Sequence, residues 1–80
     1  MSERLKHEGR LAEKEREAKR LTLKIKGLVD SMRDALDPFE PALGLDLELV
    51  AEQAIEIRSA QIDLVAIDAE IKAILKVLGR

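Results

Sequence analysis

Residues 55–75 read IEIRSAQIDLVAIDAEIKAIL, a helical pattern that is apolar on more than one side. Val50, Gln53, Ile57, Ala60, Leu64, Ile67, Ile71, Ile74 and Leu78 recur alternately three and four apart. That spacing draws one seam along an α-helix, interrupted only by Gln53. Ala51, Ile55, Ile62, Val65 and Ala69 form a second, narrower stripe on another side. A helix that is apolar on two sides is normally buried on two sides. The segment is not a membrane span, because Asp63, Asp68, Glu70, Lys72 and Lys76 interrupt it and a span needs about 20 nearly uncharged residues.

Working outward, Asp46 is placed to cap this helix and Glu48 to favour its first turn, so the helix is expected from about residue 47 to 78. It is preceded by DALDPFEPALGLD, residues 34–46. Asp37-Pro38-Phe39-Glu40 resembles a helix start, but Pro41 lacks the N–H that would continue it. One turn at most is expected there, closed near Gly44. The first helix is expected over about residues 3–36, with Ala18, Leu21, Ile25, Leu28, Met32 and Ala35 as its seam. Traced backwards, that seam turns polar through Lys14, Leu11, His7 and Arg4. Residues 21–27, LTLKIKG, also fit strand alternation, but both flanks read as helix. Gly27 weakens the helix locally, and Gly9 marks either fraying or a later start.

Eighty residues make one domain at most, and a chain this short buries only about 60% of its unfolded surface. With no Cys and one His, disulfides and thiolate metal sites are excluded, which leaves oligomerisation as the common support. The absence of Cys, and an N-terminus MSERLKHEGR without an apolar core, give the expectation of a cytoplasmic protein. Strand-favouring aromatics are nearly missing, Phe39 being the single one. The fold class is therefore all-α: a long antiparallel hairpin of two helices.

If the hairpin closes around residues 41 and 42, facing residues total about 83. Leu28 then falls near Ala54 or Ile55, Ile25 near Ile57, and Ala18 near Leu64 or Val65. Lys14 falls opposite Asp68, and the two are expected to pair and help set register. The same register sets Leu64–Leu78, the most apolar part of helix two, against Arg4–Ala18, which offers little beyond Leu5, Leu11, Ala12 and Ala18. Each large aliphatic side chain left in water forgoes roughly 1.5–3 kcal/mol of burial. Ile55, Ile62, Val65, Ile67, Ile71, Ile74 and Leu78 are accordingly expected to form an oligomer face, with two hairpins making a homodimeric four-helix bundle or coiled coil. Two alternatives stand beside this: a curved helix that hides both stripes in one hairpin, and a different helical protein as the partner.

Chemistry finds little support. His7 reads as a solvated helix residue, and Ser2, Ser31 and Ser59 have no base placed near them. Glu3 and His7 are four apart, where bundle carboxylate sites pair Glu and His three apart, and the four Gly are scattered, so no phosphate loop is present. The expectation is no enzyme, no metal, no cofactor and no small-molecule substrate. Residues 1–28 hold nine Lys/Arg against five Asp/Glu, and residues 29–80 hold five against eleven. Attraction between these oppositely charged halves, within or between chains, is the simplest use of that asymmetry. The rival function is nucleic-acid binding through Arg10, Lys14, Arg16, Lys19, Arg20 and Lys24. Against it, Glu13, Glu15 and Glu17 are interleaved among those residues, and no aromatic is present there to stack on bases.

The segments GLVDSMRDALDPFEP, residues 27–41, and LDLELVAEQAIEI, residues 45–57, resemble small helical-hairpin proteins of unassigned role encoded in Mu-like prophages. The likeness covers roughly residues 20–60 and rests on RDALDPFEP and AEQA. It implies a bacterial cytoplasmic setting and a mobile-element origin, and no activity. The function expected from the sequence is protein–protein interaction, as an adaptor, scaffold or small regulator.

Overall fold

The structure, a computed structural model, describes residues 2–80. Two helices, α1 (Glu3–Ala35) and α2 (Leu47–Val77), pack against each other as an antiparallel hairpin measuring 61 × 18 × 14 Å. Among the described residues there is no strand, so residues 21–27 are helical.

Each helix end is set by local chemistry. The Leu5 N–H donates to Ser2 Oγ at 3.4 Å, which starts α1 at Glu3. Gly9 therefore marks neither fraying nor a late start; it lies inside an unbroken helix. The Leu49 N–H donates to Asp46 Oδ1 at 3.0 Å, the expected cap of α2. At the far end, Gly79 at φ 78° lets the Arg80 N–H reach the Leu75 carbonyl (2.8 Å) and its own N–H the Lys76 carbonyl (3.1 Å). That pair of bonds is the Schellman closure, which favours glycine because a side chain is strained at positive φ.

In the connection, Asp37 Oδ1 accepts from the Phe39 N–H at 2.9 Å. A first turn closes there, the Glu40 N–H donating to the Asp37 carbonyl at 3.1 Å, and a separate 3₁₀ turn follows at Ala42–Gly44, closed at Gly44 as expected by a 2.8 Å bond from its N–H to the Pro41 carbonyl. Pro38 and Pro41 both lack a donor, so a helical start at residue 38 has nothing to propagate it.

The core lies along the two seams. Leu21, Ala60 and Ile67 are buried together with Ala18, Ile25, Leu64 and Ile71 around them. Leu11, Ile74 and Leu78 form a second cluster toward the chain ends. Every member of the α2 seam from Val50 to Leu78 is buried or half-buried. Gln53, its one polar member, donates from Nε2 to Ser31 Oγ across the interface at 2.7 Å. Facing pairs such as Ser31 and Gln53 total 84, one more than the sequence register.

Gly27 has no atom within 4 Å of where a Cβ would stand. Since a helix-interior Gly is about 0.5–1 kcal/mol worse than Ala, Gly27→Ala is expected to raise stability by that amount. Its urea midpoint should move up with an unchanged slope; a lower midpoint would show that this face is packed against something.

Candidate interaction surface

Two residues along an α-helix is a rotation of about 200°. Ile55 sits two residues from both Gln53 and Ile57, Ile62 from both Ala60 and Leu64, and Ala69 from both Ile67 and Ile71. All six of these neighbours belong to the seam. Ile55, Ile62 and Ala69 therefore stand directly behind it, on the face of α2 turned away from α1. Ile55 is 71% exposed, Ile62 52% and Val65 66%, while Ala51, Ala69 and Ala73 are exposed to either side of them along the helix. Leu47 and Val77 extend the exposed apolar face to both ends of α2. Ile55 thus points away from Leu28.

The sequence reading of the oligomer face is corrected at four positions. Ile67, Ile74 and Leu78 are buried inside the hairpin, and Ile71 is half-buried beside them. None of the four lies on the outer face. Leu5 and Ala12 turn outward and give no cover. Leu11 is buried in one cluster with Ile74 and Leu78, and half-buried His7 and Lys14 lie at seam positions on either side of it, so a polar-looking segment of α1 covers an apolar one. His7 is therefore half-buried rather than freely solvated: its Nδ1 is shielded and has no partner among the described residues.

The expected Lys14–Asp68 pair does not form. Lys14 Nζ meets Glu70 Oε2 at 2.7 Å, and Asp68 pairs with Lys72 one turn along α2 at 2.8 Å. Asp68 and Glu70 lie about 200° apart on the helix, so they occupy opposite flanks. Asp68 lines a groove with Thr22, Gln61 and Val65, and Glu70 lines one with His7, Arg10 and Val77. The hydrogen bond from Lys14 to Glu70, and then the Glu70 charge itself, hold the Lys14 ammonium above the ordinary 10.5. A raised lysine value stabilises the fold fully below the unfolded value and loses that contribution as pH rises through the folded one. Unfolding stability should therefore fall as the pH is taken above about 10.5, and Glu70→Gln should lessen that fall. An identical alkaline profile in the variant would show that the pair contributes nothing, as many exposed pairs do.

Of the six basic residues weighed for nucleic acid, Lys14 is engaged in the seam, whereas Arg10, Arg16, Lys19, Arg20 and Lys24 are exposed. The hairpin also redistributes charge. With facing residues totalling 84, the tip end comprises residues 27–57 and holds one Lys/Arg against eight Asp/Glu. The open end, residues 1–26 and 58–80, holds thirteen against eight. The polarity thus runs along the rod as well as between the helices, −7 at the tip and +5 at the open end.

The tip carries an apolar feature absent from the sequence reading. Phe39 is 93% exposed and Leu43 is fully exposed, flanked by half-exposed Leu36 and Leu47. Its signal was a lone aromatic between two prolines, Pro38-Phe39-Glu40-Pro41. Among the described residues no cluster of three or more His, Asp or Glu is placed to hold a metal ion, and no helix is long and apolar enough to cross a membrane.

No family model, curated protein or solved structure matches the chain.

Proposed function

We propose that the protein is a non-enzymatic interaction module that works by helix–helix pairing through the outer face of α2, in the first place with a second copy of itself. One observation carries this reading: Ile55, Ile62 and Val65 stand exposed on a regular helix, behind a seam that α1 has already closed. The surface area supports it. The chain exposes 6117 Å², whereas a compact monomer of its mass would expose about 4,800 Å². The excess of roughly 1,300 Å² exceeds the ~800 Å² that each partner contributes to a standard interface. An adaptor, scaffold or small regulator that acts as a dimer follows from this face.

Association that occurs only in the folded state stabilises that state by mass action. The melting temperature is therefore expected to rise with protein concentration. A melting temperature that stays constant over a hundredfold range of concentration would count against self-pairing and leave a different helical protein as the occupant.

A second reading, binding of a nucleic-acid backbone, is favoured by the exposure of Arg16, Lys19, Arg20 and Lys24 on α1. Reversing Arg16 and Arg20 to Glu should abolish any salt-sensitive binding. A wild-type protein that binds no nucleic acid at low salt ends this reading.

A further inference from the structure

The self-pairing proposed above fixes neither the direction nor the arrangement of the two copies; the outer face of α2 carries information on both. We infer that two copies pack α2 against α2 in antiparallel fashion about a two-fold axis at Ile62, giving a flat row of four helices in the order α1–α2–α2–α1. This inference rests on the self-pairing reading.

The row follows from where the face lies. Ile55, Ile62 and Ala69 stand directly behind the seam, so a second α2 seated on them cannot reach α1 or share its core. Each hairpin keeps its own seam, and the new interface is a third layer of contacts between the two α2 helices. This differs from a bundle with one common core, which would need a stripe on the side of the hairpin, where both helices contribute.

The antiparallel direction follows from size and charge. Ile62 is the midpoint of α2, fifteen residues from Leu47 and from Val77. Ile55 and Ala69 lie seven residues to either side of it, and Ala51 and Ala73 eleven. Both spacings are within about 20° of whole helical turns. An antiparallel pair centred on Ile62 therefore sets each Ile55 against Ala69 of the other copy, and Ala51 against Ala73. Large then meets small at Ile55 and Ala69, the one large-on-large contact falls at the centre, and the two ends of the interface are equally spaced. A parallel pair sets Ile55 on Ile55 at one end and Ala69 on Ala69 at the other. That arrangement wedges the helices apart where the side chains are large and leaves a gap where they are small.

Charge selects the same direction. Antiparallel copies place the −7 tip end of one beside the +5 open end of the other, whereas parallel copies place tip beside tip. At the margins of the face, Glu48 and Lys76 are each fourteen residues from Ile62, so Glu48 of each copy comes opposite Lys76 of the other. One flank argues the other way: Glu56, Asp63 and Glu70 form an acidic column that an antiparallel pair brings toward its own copy. Glu70 is already matched by Lys14, and the column stands at the rim, toward α1, where solvent screens it. The midline contacts decide the direction.

The chain has no cysteine, so single-cysteine variants report neighbours without background. A disulfide requires Cα atoms within about 7 Å. In the antiparallel pair Ile62→Cys faces itself and should form a covalent dimer on mild oxidation. Ile55→Cys alone and Ala69→Cys alone should not, since each is held roughly 21 Å along the axis from its own copy. The two variants unfolded together and refolded as a mixture should cross-link to each other. Efficient self-linking by all three single variants would establish a parallel pair and overturn the inference. Absence of cross-links in a protein that light scattering shows to be a dimer would place the interface on another face and overturn it too. A monomer by light scattering would instead remove the reading on which it rests.

Discussion

Ile62→Glu is expected to turn the protein into a monomer. In the pairing described above, Ile62 meets its own copy at the centre of the interface, so one substitution removes two aliphatic contacts and installs two facing carboxylates. Each Ile62 has only its exposed half left to bury, so losing the pair removes roughly 1.5–3 kcal/mol, about ten- to a hundredfold in Kd, before any charge repulsion. The hairpin itself should survive, because Ile62 is 52% exposed and belongs to neither core cluster. Sedimentation equilibrium of the variant, with its circular dichroism recorded alongside, separates the two effects. Leu23→Glu is the matching control: Leu23 is similarly exposed but lies on α1, away from α2. It should leave the mass unchanged. If both variants dissociate the protein, or neither does, the outer face of α2 is not the contact.

The largest effect on the hairpin itself is expected from Ile74→Ala. Ile74 is 3% exposed, packed with Leu11 and Leu78, and is one of only six buried hydrophobic residues among those described. Large-to-small changes of this kind cost roughly 2–5 kcal/mol, because the lost transfer energy is joined by the cavity left behind. Net stability for a chain of this length is of the order of 4–12 kcal/mol, so at the middle of both ranges the variant loses roughly 40% of it. Urea unfolding, compared at equal protein concentration, measures the loss. A loss below about 1 kcal/mol would mean that the neighbouring chain segments collapse into the space, and that the contact of Leu11 with Ile74 and Leu78 is loose.

The helices were legible because the signals are periodic and local. The three-four alternation from Val50 to Leu78 gave the seam of α2, and Asp46 and Pro41 marked where the connection ends and why it does not become a helix. The register came within one residue, since an eleven-residue connection with two prolines leaves little freedom. The side-chain partners were less legible, because each step along a helix turns by about 100°. Lys14 was assigned Asp68 from its height along the rod, but Asp68 faces the wrong flank and Glu70 the right one. The same limit placed Ile67, Ile71, Ile74 and Leu78 on the outer face. Their partner segment in α1 looked too polar to cover them, yet its turn from His7 through Leu11 to Lys14 puts Leu11 at the centre and holds the two polar residues half-buried at its sides. His7 was misread for the same reason. The exposure of Phe39 and Leu43 was invisible to periodicity, which says nothing about a turn lying beyond the last contact between the helices.

The outer stripe was read from the sequence as a face that needs a neighbour, and in the fold Ile55, Ile62 and Val65 are what the hairpin leaves uncovered. In solution a second copy should close this face. The most direct test is the mass of the wild-type protein by light scattering during gel filtration, over a range of loading concentrations. The expected mass is twice that of the 8.9 kDa chain, falling toward the single-chain value only at the lowest loads. A folded protein that keeps the single-chain mass at every load would contradict it.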